Sequence, residues 1–81
     1  MPVDYQSHVP PYRQIAGRLR DAIRSGELQP NDRLPSIVTI MQTEGVARLT
    51  ARKALAVLVD EGLAHRVPGW GTYVTDQQPS A

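Results

Sequence analysis

Prolines and glycines cut this 81-residue chain into segments that leave room for three helices and one hairpin. Pro10-Pro11 opens the first segment, because proline is tolerated in the first helical turn, where its missing N–H is not needed. From there to Gly26, Tyr12, Ile15, Ala16, Leu19, Ala22 and Ile23 recur at helical spacing and form one apolar stripe, which predicts a helix over 11–25. Pro30-Asn31-Asp32 is turn chemistry, with Asn31 able to accept a left-handed backbone and Leu28 and Leu34 dipping into the core on either side. Pro35 keeps Leu34 extended, and Ser36 then offers an N-cap to a second helix that runs to about Thr43 or Glu44. Ile37, Ile40 and Met41 share that helix's buried face, Gly45 ends it and Val46 plugs the turn. A third helix runs from about Arg48 to Glu61, with Ala51, Ala54, Leu55 and Leu58 as its core stripe and Gly62 as its stop. Leu63–Val67 and Thr72–Val74 read as two short strands around the turn Pro68-Gly69-Trp70-Gly71.

Helix, tight turn, basic-headed helix and hairpin, in that order, are the layout of a three-helix winged helix-turn-helix, mainly α with one small β-hairpin. It occupies about residues 10–75. Residues 1–9 have no apolar period and read as a flexible arm, and residues 76–81 as a flexible tail. A chain of this length holds one domain and buries only about 60% of its unfolded surface, so the core is thin.

The inventory of chemistry is short. There are no cysteines, which excludes disulfides and thiolate metal sites. His8 and His65 are far apart and neither sits in a metal-ligand pattern, so no metal or other cofactor is expected. No nucleophile–base pair or paired carboxylates stand at a useful spacing, so no residue is assigned a catalytic role and an enzyme is not expected. No apolar run is long enough for a membrane span or a signal segment, and the expected location is the cytoplasm.

What remains is the distribution of charge. The net charge is only +1, yet residues 36–58 hold Arg48, Arg52 and Lys53 against Glu44 alone, while residues 59–81 hold Arg66 against Asp60, Glu61 and Asp76. Arg13, Arg18, Arg20 and Arg24 share the first helix and read as a solvated face. The head of the third helix is basic where the macrodipole favours acidic side chains, so each cation there costs a few tenths of a kcal/mol. A phosphate ligand reverses that cost, because cations and free N–H groups both attract it. This local conflict points to an anion at that end; charge alone also fits a solvated helix face.

These residues together resemble a known family. Tyr12 with Gln14-Ile15-Ala16, Leu19-Arg20, Ile23, Gly26 with Leu28, Pro30, Arg33-Leu34-Pro35-Ser36, Gly45-Val46, Arg48, Thr50, Arg52, Ala54-Leu55, Leu58, Glu61-Gly62-Leu63 and Gly71-Thr72-Tyr73-Val74 are similar, in order and spacing, to the N-terminal DNA-binding domain of bacterial GntR-type transcription regulators. The resemblance covers about Tyr12 to Val74. It implies sequence-specific binding of double-stranded DNA as a repressor, with the helix over about 48–61 in the major groove and the wing at Gly69 near the minor groove. Arg48 and Arg52 suit bidentate pairing with guanine O6 and N7, Thr50 suits a phosphate, and Lys53 the groove edge. Ser36, Ala47, Leu49 and Trp70 complete the expected DNA-binding set.

The departures from the family pattern are specific. Ala47 stands where the family usually has Ser or Thr, and losing such a cap costs about 0.5–2 kcal/mol. Val38 replaces a basic residue of the second helix, Ile37 the usual Glu, and Leu49 a polar residue of the groove-facing turn. Leu49 suits a thymine methyl or simple exposure; Trp70 suits packing on its own hairpin, a place beside a groove, or a partner. Because Ala47, Val38 and Leu49 each remove polarity from the reading face, the alternative function is a winged-helix protein-interaction module that has lost DNA binding. Family members continue into a C-terminal ligand-binding and dimerising domain that these residues do not contain; a natural short form and an excised domain both fit, and no effector site is visible. A single small reader makes few contacts, so a homodimer, at least on DNA, and a palindromic operator are expected.

Overall fold

A computed structural model describes residues 3–76; residues 77–81 of the expected tail and the first two residues of the arm lie outside the described residues. The elements are α1 (Pro11–Ser25), α2 (Ile37–Glu44), α3 (Arg48–Asp60), β1 (Ala64–Val67) and β2 (Gly71–Val74). This is a winged helix-turn-helix. The helix α3 is its centre and packs on α1, α2 and β1. Ala51, Ala54 and Leu58 are fully buried along one face of α3, and Ile15, Leu34, Ile40, Val46, Ala64 and Val74 close over them. The small side chains of Ala51 and Ala54 let α1 and α2 come close to the same helix.

The stops work as their chemistry requires. Gly26 and Gly45 both take the left-handed conformation that ends α1 and α2. After α3, Gly62 adopts φ +78°; its N–H bonds Val59 O at 3.0 Å and that of Leu63 bonds Leu58 O at 2.9 Å. That pair of bonds is a Schellman closure, and Leu63 is drawn against the core with it. It uses the Leu63 N–H, which is why β1 starts at Ala64 rather than at Leu63. The strands pair antiparallel, Ala64 with Val74 through to Val67 with Gly71. At the hairpin tip Trp70 N–H bonds Val67 O at 2.9 Å, with Pro68 and Gly69 (φ +81°) as the two central residues of a type II turn.

Three features extend beyond the local pattern. First, residues 31–34 lie along the free edge of β2: Leu34 N–H bonds Thr72 O (2.8 Å), Val74 N–H bonds Asp32 O (2.8 Å) and Asn31 N–H bonds Val74 O (2.9 Å). Asn31, at φ +72°, makes the turn that delivers this segment to the wing. The wing is thereby tied to the chain that enters α2.

Second, residues 3–9, the segment read as an arm, make specific contacts with the rest of the domain. Val3 is 7% exposed and belongs to the core. Gln14 clamps the segment, accepting from Asp4 N–H and donating to Asp4 O and Val9 O, each at 2.8 Å. Tyr5 donates its hydroxyl to Gly45 O at 2.7 Å, which ties the segment to the turn between α2 and α3. A lone valine and a tyrosine carry no period, so this docking left no signal in the sequence.

Third, two arginines of α1 are cross-ties rather than solvated side chains. Arg18 pairs with Glu44 at the end of α2. Arg20 grips Glu61 after α3 with two parallel bonds, Nε to Oε1 at 2.9 Å and Nη2 to Oε2 at 2.7 Å. These bonds hold the Glu61 carboxyl below its ordinary pKa and raise that of Arg20.

Candidate nucleic-acid interface

The head of α3 is built without a side-chain cap. Ala47 takes the N-cap position with extended backbone (φ −76°, ψ 164°) and offers no oxygen to the first turn. The first bond into the helix runs from Ala51 N–H to Ala47 O at 3.1 Å, so the N–H groups of Arg48, Leu49 and Thr50 precede the ladder. By contrast, α2 is capped. Ser36 Oγ accepts from Thr39 N–H at 3.1 Å and gives its one proton to Thr39 Oγ1 at 2.9 Å. The Ser36 side chain is committed within the chain, and what α2 presents outward at its start is backbone N–H from Ile37 and Val38.

On α3 the exposed face is opposite the core stripe. Arg48 and Arg52, one turn apart, share it, and Leu49 stands beside them at 60% exposure. Lys53 is exposed but leans toward α1, its Nζ 5.8 Å from the centre of the Tyr12 ring. Arg13 approaches the same ring at 5.9 Å and donates to the Tyr12 hydroxyl at 3.2 Å. That bond raises the Arg13 pKa further above its ordinary value.

A cleft of about 700 Å³ separates the start of α2, the middle of α3 and the wing. It gathers Ser36, Arg52, Gly69 and Trp70 from the sequence-predicted set. Ala47, Arg48, Leu49, Thr50 and Lys53 lie outside its lining, around the first turns of α3. Two arginines that sequence reasoning did not place in the site, Arg33 and Arg66, line the same cleft. Arg33 arrives through the edge pairing with β2, facing Tyr73. Its guanidinium lies over Gly71, where an added Cβ would fall 2.9 Å from Arg33 Nε. The glycine thus leaves room for the arginine as well as supplying φ +135°. Arg66 sits on β1 opposite Thr72. Its signal was faint: one exposed position of a four-residue strand.

Trp70 is 69% exposed at the wing tip, so its indole does not pack on its own hairpin. Val38, 50% exposed on α2, borders the same cleft. Among the described residues only Arg18 and Arg20 reach a carboxylate within 4.0 Å; Arg33, Arg48, Arg52, Lys53 and Arg66 have no such partner. Among the described residues, Asp60 is the sole carboxylate lining the cleft. The arrangement is a concave surface lined by three arginines with the start of α2 at its rim, able to hold a polyanion and to present donors to its edges.

A helix-turn-helix with a basic α3 and an arginine-lined wing is the architecture of a transcription regulator's reading head. The family described as "Bacterial regulatory proteins, gntR family" matches residues 11–74, and the chain belongs to it. It is 44% identical over 71 residues to the mannosyl-D-glycerate transport/metabolism system repressor MngR of Escherichia coli, covering 88% of this chain and 30% of that one. It is likewise 44% identical over 75 residues to the transcriptional repressor NagR of Bacillus subtilis, covering 93% and 31%. The chain therefore spans about a third of the length of these relatives. Among solved structures, YtrA of Sulfolobus acidocaldarius, a GntR-family transcription factor, superposes with a TM-score of 0.85 at 39% identity, covering 94% of this chain and 80% of that one. The AraR DNA-binding domain in complex with operator ORX1 superposes at 0.83 with 34% identity, covering 93% of each chain. No helix among the described residues is long and apolar enough to cross a membrane.

Proposed function

We propose that this domain binds double-stranded DNA sequence-specifically and regulates transcription as a repressor, by occupying an operator in the cytoplasm without a cofactor. One observation carries the reading: Arg33, Arg52 and Arg66 line one cleft and, with Arg48 and Lys53 on the same helix as Arg52, have no carboxylate partner among the described residues. The likeness to the AraR domain, whose structure is with operator DNA, supports it. In this reading α3 enters the major groove, and Arg48 and Arg52 address guanine edges. Thr50, Lys53 and the uncapped amides of α3 hold phosphates, as do the amides that follow Ser36. Gly69 lets the wing backbone approach the duplex, and Trp70, Arg33 and Arg66 contact it from the wing side.

Fluorescence anisotropy against a randomised duplex pool, over a salt series, tests this. Binding should weaken with salt, and Arg52→Ala should weaken it by about five- to 150-fold, the range of one bidentate base contact. The domain's small contact set further suggests that two copies bind a palindromic operator, with half-sites about one helical turn apart. Sedimentation with a palindromic duplex should show two proteins per duplex, and a persistent one-to-one complex on a single half-site would reject the dimer. Exposed Val38, Leu49 and Trp70 support a second reading, a protein-interaction module. It would show itself as salt-insensitive binding to protein with none to DNA at low salt.

A further inference from the structure

Leu49 is out of place on the surface that surrounds it. It is 60% exposed in the first turn of α3, with Arg48 beside it and Arg52 and Lys53 three and four positions on, all exposed. The helix does not need it for folding: the core stripe runs through Ala51, Ala54, Leu55 and Leu58. A side chain in that position sits at the uncapped helix start, between Arg48 and Arg52, the two residues that address base edges in the reading above. Water-exposed leucine in such a setting gains only if the groove offers it an apolar counterpart. In the major groove of B-DNA the base edges carry donors and acceptors, and the apolar group among them is the C5 methyl of thymine.

Resting on the DNA-binding reading above, we propose that Leu49 is a specificity-determining residue that selects thymine at one fixed position of each half-site by packing on its C5 methyl. The charge around Leu49 argues for this occupant over an apolar protein surface, since Arg48, Arg52 and Lys53 would each be stripped of water against a hydrophobic partner. The contact discriminates by shape and burial alone. It therefore adds selectivity of a few fold, on top of the hydrogen-bonded recognition assigned to the arginines.

The test uses duplexes selected from the randomised pool by the native protein. Each thymine of the selected half-site is replaced in turn by uracil, which removes the methyl and leaves every hydrogen-bonding group in place. Affinities are measured for the native protein and for Leu49→Ala, which keeps a strong helix former at an exposed site and leaves the fold intact. At one position the native protein should lose about three- to fivefold in affinity, the factor carried by one buried methyl group. Leu49→Ala should bind the thymine and uracil duplexes there equally. Selection with Leu49→Ala should relax the preference at that position and no other. A native protein indifferent to every uracil, a selected site without thymine, or equal uracil sensitivity in both proteins would each overturn the proposal while leaving DNA binding intact. Failure of the native protein to bind any duplex at low salt would instead overturn the DNA reading on which it rests.

Discussion

The two arginine-bearing faces of this domain use the same side chain for opposite ends. On α1, Arg18 and Arg20 reach across to Glu44 and Glu61, at the last turns of α2 and α3, and fix the three helices to one another. On α3 and around the wing cleft, Arg48, Arg52, Arg33 and Arg66 have no carboxylate within reach among the described residues, as is also true of Arg13 and Arg24 of α1. Counting charge along the chain cannot separate the two groups, because each segment looks like an ordinary solvated helix or strand. What separates them is where the acids fall. Glu44 and Glu61 stand at the C-terminal ends of helices, where a carboxylate is disfavoured by the macrodipole and gains most from an arginine brought to it. The head of α3 has no acid at all in its first turn, although that is where one would be most favourable. Uncompensated cations at a helix start that has no acid and no side-chain cap fit an anionic ligand there.

Substitutions can break this contrast, and the largest effect should come from the unpaired arginines. Arg52→Ala should reduce affinity for a selected duplex by about five- to 150-fold, the range of one bidentate base contact of about 1–3 kcal/mol. Its thermal midpoint should stay within a degree or two of native, since the side chain has no internal partner. An equal loss of stability and binding would mean that Arg52 is structural. Next comes Gly71→Ala. It forces a side chain into φ +135° and against the Arg33 guanidinium. The expected loss is on the order of 1–3 kcal/mol in chemical denaturation, with weaker DNA binding as Arg33 is displaced. A neutral Gly71→Ala would show that the wing bends freely and that Arg33 is not held there.

A gain of function sharpens the comparison. Ala47→Ser supplies the missing cap oxygen to the start of α3 and should stabilise the domain by about 1 kcal/mol, read as a raised denaturation midpoint. Duplex affinity should rise with it, because the helix that binds is better ordered before it meets DNA. The smallest effect should come from the paired arginines. The Glu61 carboxyl is held below its ordinary pKa chiefly by its hydrogen bonds to Arg20. A carboxyl with a lowered folded-state pKa contributes stability that is present above the unfolded pKa and is lost as pH falls through the folded one. Glu61→Gln should therefore flatten the fall in thermal midpoint on acidification and leave DNA affinity near neutral pH unchanged. An unchanged acid limb would show that the Arg20 pair is not part of the stability of the domain.

How much of this was legible in the sequence depended on range. The ends of all three helices were readable because their signals are local: Pro11 at a helix start, Ser36 as a cap, and Gly26, Gly45 and Gly62 in left-handed stops. The tight turn at Asn31 was readable for the same reason. The pairing of residues 31–34 with β2 was not, because a segment with a turn at one end and a proline at the other carries no alternation. Its consequence, the placing of Arg33 over the wing, was lost with it. The docking of Val3 and Tyr5 was hidden because single contacts across 40 positions leave no period. The partners of Arg18 and Arg20 depend on how α1 crosses the other helices, which only the packed core decides. Of the site, the head of α3 was legible as a basic cluster on a helix. The cleft that joins Arg52 to the wing was legible only as separate residues.

The most direct test of the contrast between the two groups of arginines is the slope of duplex affinity against salt, measured for the native protein, for Arg33→Ala/Arg66→Ala and for Arg18→Ala/Arg20→Ala. Each phosphate contact adds about 0.9 to the slope on a double-logarithmic plot. The cleft variant should bind with a shallower slope, by about one for each of its arginines that holds a phosphate. The α1 variant should keep the native slope, with its cost appearing in thermal stability. Equal slopes in the native protein and the cleft variant, or a slope lowered only by the α1 substitutions, would contradict the assignment of the unpaired face to the anion.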